Sequence, residues 1–261
     1  AWKEAVALDQ ELGALDANGR LTEEGKALRA LPLPPRLARM VLEAAGHGEA
    51  ERAADLAMLL SERGLGGNDA DLSHRLDRLQ SDGSKRAKDA KRLAANWARM
   101  AKAALPPPQP SPASRERGQS VAFIRNADRE RPLSRESGGG TGRGPIRNAT
   151  AAPLSDGALI ALAYPDRIAK SRGANGDFLM ANGRAASLPV EDPLSRAPFL
   201  AVAELTGRAA QARILAACAL DAEEVESIAG ARIEARDETV FDPATASLRR
   251  RRFRRLGAIR L

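Results

Sequence analysis

The sequence predicts a multidomain α+β protein. A winged-helix fragment and a helical bundle are expected first, then a disordered linker, then a small OB-like β-barrel with helices. Three observations support this fold class. Apolar residues recur at helical spacing through residues 1–105. Half of the 16 prolines fall within residues 106–153, where apolar residues show no period. Beyond that stretch, short runs typical of β-strands alternate with Asn-Gly and Thr-Gly turns.

Residues 1–33 predict a partial winged helix. Asn18 and Gly19 tolerate positive φ and therefore predict a tight hairpin between two helices. Thr22 is placed to cap the second helix, which Pro32 should end. A helix, a small hairpin and a helix, in this order, are the pattern of a winged-helix fragment.

Residues 34–105 predict a compact helical bundle, because four periodic segments are separated by short loops. Pro34 and Pro35 suit the start of the first of these helices, and Gly46 suits its end. The four helices are predicted at 34–46, 49–63, 72–83 and 84–104.

Residues 106–153 predict a disordered linker. "PPPQPSP" opens the stretch and "GGGTGRG" interrupts it. A segment of this composition buries too little apolar surface to form a packed core. The glycine-rich run follows no predicted strand and precedes no predicted helix, so we do not interpret it as a nucleotide-binding loop.

Residues 154–261 predict an OB-like α+β module. A helix is expected over 154–173, with Ser155 as its cap and a break at Pro165. Five or so strands then suggest a small barrel. The later elements are predicted as a hairpin around Asn182-Gly183 (177–188), paired strands (199–205 and 210–220), a short helix (221–230) and two strands joined at Asp242-Pro243 (231–242 and 247–261).

The net charge of +7 is concentrated at one end of the chain. Lys and Arg number 41 against 34 Asp and Glu, and residues 247–261 contain seven arginines and no acid. A basic segment on an otherwise balanced chain favours local contact with phosphates.

The terminal run "SLRRRRFRRLGAIRL" is interpreted as a strand. Its apolar end, 256–261, can close a small barrel, with Phe253 and Ile259 as anchors. The arginines should then lie at the barrel rim or protrude. The alternative is that they form salt bridges with nearby acids, namely Glu223, Glu224, Glu226, Asp237 and Glu238.

Three groups of cations are candidate nucleic-acid contacts. Helix 84–104 carries seven Lys and Arg residues and a single acid, Asp89. A solvated helix face is the alternative for this helix, and a favourable helix dipole is the alternative for the "YPDRIAKSRG" segment. The candidate residues are Lys88, Lys91 and Arg92; Arg167, Lys170 and Arg172; and Arg250, Arg252 and Arg254.

Catalytic and metal sites are not predicted. The chain contains no GxxxxGK[ST], GxSxG or HExxH motif. His47 and His74 lie at predicted helix ends, and Cys218 is interpreted as a small core residue. A single Cys excludes an internal disulfide and fits a cytoplasmic protein. No apolar stretch is long enough to span a membrane, so no membrane partner is expected.

Several motifs together resemble the DEAH-box ATP-dependent helicases. "LGALDANGRLTEEGKALRALPLPPRLARMVLEAA" (12–45) and "ADLAMLLSERG" (54–64) resemble the helicase-associated region that follows the motor domains. "GALIALAYPDRIAKSRG", "FLMANGRAA" and "RRFRRLGAIRL" resemble the bacterial HrpB-type branch. The resemblance covers about 1–105 and 154–261.

The resemblance implies a partial winged helix, a ratchet-like bundle and an OB-like module that together close one side of a nucleic-acid channel. Two RecA-like motor domains, using ATP and Mg²⁺, would supply hydrolysis in the full-length family. The P-loop, the DEAH box and the arginine-finger motif are absent here. We therefore expect a fragment, or the product of a broken gene, with no ATPase activity of its own. The expected partners are motor domains and a single-stranded nucleic acid, RNA in preference to DNA.

A second hypothesis is a protein-interaction module, whose OB-like face binds another protein and whose arginines are held in salt bridges. A stand-alone enzyme is disfavoured by the motif search.

Overall fold

The computed structural model describes residues 2–105, 153–173, 176–207, 212–242 and 247–261, and for residues 3, 4, 11, 238–242 and 247–251 it describes the backbone alone. All but the last residue of the predicted linker, and Pro243 of the predicted turn, lie outside the described residues. The disorder of the linker therefore stays a prediction.

Along the chain, most of the helices come first and the strands follow. The helices are α1 (Trp2–Glu11), α2 (Glu23–Ala30), α3 (Pro35–Gly46), α4 (Ala50–Ser61), α5 (Leu72–Ser81), α6 (Lys85–Ala104), α7 (Asp156–Ala163) and α8 (Ala222–Ala229). The strands are β1 (Ile168–Ser171), β2 (Asp177–Met180), β3 (Ala185–Ser187), β4 (Phe199–Thr206), β5 (Ala212–Leu220), β6 (Ile233–Asp242), β7 (Ser247–Leu256) and β8 (Ile259–Arg260).

The N-terminal part has the predicted order of helix, tight turn and helix. Leu15 and Leu21 form an antiparallel bridge, and Gly19 adopts a φ of 75° in the turn between them. The Thr22 hydroxyl accepts a hydrogen bond from the Gly25 amide at 2.9 Å, which caps α2. The hairpin and the cap are confirmed.

Helices α3 to α6 form the predicted bundle, with bounds within a few residues of those expected. Val41, Leu56, Leu79 and Trp97 lie in its core. The same core continues through α7, which contacts α3 and α4 on one side and β4 and β5 on the other. Because α7 has apolar residues all round, it can be buried between the bundle and the barrel.

The predicted helix over 154–173 is wrong beyond α7. Ser155 caps α7 as expected, but the helix ends at Ala163, and Ile168–Ser171 forms β1. Pro165 cannot continue the helical hydrogen bonds. Strand β1 instead pairs with β2 and β4, and buries Ile168 and Ala169.

Five strands form the expected small OB-like barrel. Their order is β1-β2-β3-β5-β4, and pairing of β1 with β4 closes the ring. Strand β3 runs parallel to β5, and the other pairs are antiparallel. Both predicted strand pairings are confirmed: β2 pairs with β3 across the Asn182-Gly183 turn, and β4 pairs with β5.

The expectation that the terminal strand closes the barrel is wrong. Strand β7 pairs with β6 along its whole length and with β8, in a separate sheet of order β6-β7-β8. The barrel is already complete without β7, so the arginine run is left in a long hairpin. The predicted anchor Ile259 is buried, whereas Phe253 is half-buried and carries the Arg260 guanidinium 4.4 Å from its ring centroid.

Candidate nucleic-acid interface

The first group of predicted contacts lies on α6. This helix buries an alanine-rich face with Trp97 against the bundle. At about 100° per residue, four of its exposed cations gather opposite that face within roughly 60° of arc. These cations, the α6 stripe, are Lys85, Lys88, Arg92 and Arg99. The same helical periodicity places the apolar residues of α6 in the core and the cations of the α6 stripe on the opposite face.

Two of the predicted residues belong to the α6 stripe. The side chain of Arg92 is 82% exposed, and its guanidinium lies 3.0 Å from the carboxylate of Asp89. Lys88 is also exposed. An exposed pair of this kind contributes little to folding stability, so Arg92 can exchange Asp89 for another anion at low cost.

Lys91 does not lie on the stripe. Its ammonium donates hydrogen bonds of 3.1 Å to the carbonyls of Gln80 and Asp82, at the end of α5. A cation there satisfies carbonyls that have no partner within the helix and complements the helix dipole. The structure thus gives Lys91 a contact that joins α5 to α6.

Arg167, in the second group, is partly buried. Its guanidinium donates to the Ala203 carbonyl at 2.7 Å and lies 4.8 Å from the centroid of the Tyr164 ring. Burial lowers the pKa of Arg167. These contacts hold the segment after α7 against β4.

Lys170 and Arg172 lie further along the same segment. The ammonium of Lys170 donates to the Arg260 carbonyl at 2.7 Å and lies 5.8 Å from the Phe199 ring centroid. Arg172 is exposed and lines a shallow opening of about 390 Å³ at the barrel, together with Asp177 and Ser187.

The third group lies on β7. The Arg254 guanidinium lies 2.5 Å from the carboxylate of Glu226 in α8, one of the acids named in the salt-bridge alternative. By strand register, Arg252 is opposite Asp237. The side chain of Arg250 is outside the described residues, and its backbone lies opposite Thr239.

Lys170 of the second group reaches β8 through its hydrogen bond to the Arg260 carbonyl, but Arg260 is not one of the predicted contacts. In the described part of the chain, the side chains of Arg92, Lys170 and Arg254 bond to Asp89, Arg260 and Glu226, so these bonds do not join one group to another. The nine predicted residues lie on three separate elements: α6, the segment around β1, and β7.

Two ion pairs between the bundle and the barrel were missed by sequence reasoning. The Arg52 guanidinium lies 2.6 and 3.0 Å from the two carboxylate oxygens of Asp156, which is 6% exposed. Arg36 bridges to Asp166 at 2.6 Å. More than a hundred residues separate each pair, and no local pattern indicates a partner at that distance.

The pKa of Asp166 is lowered despite burial. Burial raises this pKa, but the hydrogen bond and charge of Arg36, together with the charge of Arg167, outweigh burial and lower it. Arg36 also lies 5.3 Å from the Tyr164 ring centroid. Tyr164 is thus contacted by Arg36 from the bundle and by Arg167 from the barrel side.

In the part of the chain that the structure describes, no three His, Cys, Asp or Glu residues are grouped so as to hold a metal ion. No described helix is long and apolar enough to cross a membrane.

Known proteins match nearly the whole chain. Residues 10–33 match the family described as "Helicase associated domain (HA2), winged-helix". The chain is 30% identical over 257 residues to the ATP-dependent RNA helicase HrpB of Escherichia coli strain K12. That alignment covers 98% of this chain and 25% of the relative.

Two solved structures share the fold. A crystal structure of the E. coli DExH-box NTPase HrpB matches with a TM-score of 0.66 and 24% identity, covering 98% of this chain and 25% of the other. A crystal structure of the E. coli DEAH/RHA helicase HrpB matches with a TM-score of 0.64 and 22% identity, covering 98% and 26%. The chain spans about a quarter of the length of these relatives. It is therefore similar, over nearly its whole length, to the C-terminal part of the helicase HrpB, and it shares that part's fold.

Proposed function

We propose that this chain is the nucleic-acid-binding accessory region of an ATP-dependent RNA helicase, and that it forms one side of the channel for a single strand. The observation that carries the proposal is the α6 stripe. Its four cations share one exposed face of a helix whose only acid is Asp89. Such a row of charges attracts phosphates and releases their counterions on binding.

The RNA preference rests on similarity to the E. coli relative, which is named an RNA helicase. In the longer protein, RecA-like motor domains would bind ATP and Mg²⁺ and hydrolyse ATP. The accessory region would then hold the strand while the motor domains move it. We also propose that the protein is cytoplasmic, since a chain with a single Cys fits that compartment.

The second candidate is a protein-interaction module. The ion pair between Arg254 and Glu226 favours it, because part of the basic strand is already neutralised within the chain. In this alternative the OB-like barrel binds another protein. Nucleic acid would then bind weakly, or without dependence on the α6 stripe.

The test is a fluorescence anisotropy titration of the full chain with fluorescein-labelled oligouridine, between about 50 and 200 mM salt. We expect Lys88→Glu with Arg92→Glu to weaken binding. We also expect this double variant to reduce the slope of log affinity against log salt by about 1.4, at roughly 0.7 for each lost phosphate contact.

Arg86→Glu with Lys102→Glu is the matched control, because it makes the same charge change on the same helix. Arg86 is bound to the Arg63 carbonyl and lies 3.8 Å from Glu62, and Lys102 is bound to Glu51. Binding that is absent, insensitive to salt or equally weakened by both double variants would exclude the α6 stripe as the contact.

A further inference from the structure

An apolar groove runs along one side of α6. Its volume is about 520 Å³, and it is lined by the turn before α3, the end of α4, the ring of Tyr164, and Leu93 and Trp97 of α6. Ser61 and Glu62 are its only lining residues that are neither apolar nor aromatic. A cavity of this size and lining is typical of sites that take a small, largely apolar group. We call it the Leu93 groove.

Leu93 leaves part of this groove open to solvent. Its side chain is 47% exposed, whereas its neighbours Ala94 and Trp97 on the same helix are buried. A single exposed Leu is ordinary on a protein surface, but Leu93 borders a cavity that other apolar residues also line. A flat apolar group placed there would therefore remove surface of both partners from water.

The Leu93 groove lies beside the α6 stripe. Lys91 and Leu93 are each about 100° from Arg92 around the helix axis, on opposite sides. On the Lys91 side, the ammonium is bonded to the carbonyls of Gln80 and Asp82, so the end of α5 covers that flank. On the Leu93 side the groove is accessible. A strand whose phosphates contact the α6 stripe thus has apolar surface for its bases on the Leu93 side.

Trp97 favours an occupant that carries a hydrogen-bond acceptor. It is 5% exposed, and in the described part of the chain its indole N–H is a buried side-chain group without a hydrogen-bond partner. A buried donor in this state costs free energy, which an acceptor supplied by a ligand would offset. A nucleobase combines a flat ring with such acceptors, whereas an apolar side chain of a protein partner has none.

We propose that the Leu93 groove receives a base of the single strand whose phosphates contact the α6 stripe. The base packs on Leu93 and accepts a hydrogen bond from the indole N–H of Trp97. The inference rests on the proposed function, and it adds a base contact to a site that otherwise holds phosphates. Because the contact is mainly apolar packing, it should depend little on base identity.

The experiment compares two fluorescein-labelled strands of equal length in anisotropy titrations of the full chain. One is oligouridine, and the other carries sugar-phosphate spacers without bases. The wild-type chain should bind oligouridine about threefold or more tighter, with the same salt slope for both strands, because their phosphates are the same.

Substitutions of Leu93 test the packing. Leu93→Gln should weaken oligouridine binding about threefold or more and leave binding of the base-free strand unchanged, whereas Leu93→Met should preserve both. Leu21→Gln is the matched control, because Leu21 is 44% exposed and lies in the N-terminal hairpin away from the groove lining. It should leave both affinities unchanged.

Substitution of Trp97 tests the hydrogen bond. Trp97→Phe keeps an aromatic ring and removes the N–H, so it should weaken binding of oligouridine but not of the base-free strand. The urea midpoint should not fall through a lost hydrogen bond, because the N–H has no partner among the described residues. Unchanged affinity for oligouridine in a folded Trp97→Phe chain would overturn this contact.

The results separate the two proposals. A wild-type chain that binds neither strand in a salt-dependent manner would contradict the proposed function itself. Equal wild-type affinities for the two strands, both weakened by Lys88→Glu with Arg92→Glu, would overturn the base contact and leave the α6 stripe in place. Equal effects of Leu93→Gln on the two strands would likewise overturn the base contact.

Discussion

The Arg36 guanidinium lies 2.6 Å from the carboxylate of Asp166, although 130 residues separate them in the chain. Arg36 lies in the first turn of α3 in the bundle, and Asp166 follows α7 at the barrel. With the pair of Arg52 and Asp156 at the other end of α7, it fixes the bundle to the barrel. The α6 stripe and the hairpin are therefore held on one framework.

Breaking the first of these pairs should destabilise the whole chain. Asp166→Asn leaves Arg36 partly buried without its anion, so the free energy of unfolding at neutral pH should fall by about 2 kcal/mol. Urea unfolding measures this. Glu23→Gln, which removes the exposed pair with Lys26, is the control and should cost less than about 0.5 kcal/mol. Equal losses in the two variants would contradict a stabilising role of Asp166.

The same pair predicts a dependence of stability on pH. Because the pKa of Asp166 is lowered in the folded chain, its carboxylate stabilises the fold above the pKa of an unfolded Asp, about 3.9. That contribution is lost as the pH falls through the lower folded value. The wild-type chain should therefore lose more stability than Asp166→Asn between neutral pH and about pH 3. If the urea midpoints of the wild type and of Asp166→Asn fall equally as the pH is lowered, the ionisation of Asp166 does not contribute to stability.

Substitutions at Lys91 and Lys88 should have different effects: the first should lower folding stability, and the second should weaken RNA binding. Lys91→Met removes the contact with the end of α5, and should lower stability by about 1 kcal/mol with little effect on RNA affinity. Lys88→Met removes an exposed cation, and should weaken RNA binding with little effect on stability. Thermal unfolding measures the stability of both variants, and fluorescence anisotropy measures their affinity for RNA. The reverse outcome would assign Lys91 to the interface.

Helical periodicity was the most informative signal in the sequence. It predicted the bundle, and it placed Lys88 and Arg92 opposite the buried face of α6. It failed after Pro165, because the short segment Ile168–Ser171 carries no period that distinguishes strand from helix, and only pairing with β2 and β4 decides it. The partner of Lys91 and the pairs across α7 depend on tertiary contacts, which no spacing encodes.

The prediction for the terminal strand was limited in the same way, because its pairing depends on tertiary contacts. Its composition indicated a strand with a basic half, but it did not reveal that the barrel closes through β1 and β4 without it. The pairing of Arg254 with Glu226 was among the alternatives, and the register of β6 against β7 was not visible in the sequence.

Gly257 should be intolerant of a side chain. Gly257→Ala would meet the Ala181 carbonyl oxygen at 2.2 Å and require an unfavourable positive φ, so we expect a loss of at least about 2 kcal/mol in urea unfolding. Gly230→Ala is the matched control, because its backbone is right-handed helical and its Cβ would meet open space. A tolerated Gly257→Ala would mean that the hairpin base is not closely fitted.

Removing Glu226 should show whether β7 faces RNA. Glu226→Gln deletes the acid beside Arg254, at a cost of less than about 1 kcal/mol because both side chains are about half exposed. If β7 faces RNA, affinity for oligouridine at low salt should rise slightly, since one negative charge is gone. A fall in affinity would indicate that the pair matters more for hairpin placement than for charge.

The most direct test of the central claim is photocrosslinking of the full chain to oligouridine containing 4-thiouridine, with the crosslinked peptides identified by mass spectrometry. The account predicts crosslinks within α6, at peptides containing Lys88 or Arg92, and their loss as salt is raised. Crosslinks confined to the face of the bundle opposite α6, or none at low salt, would contradict it.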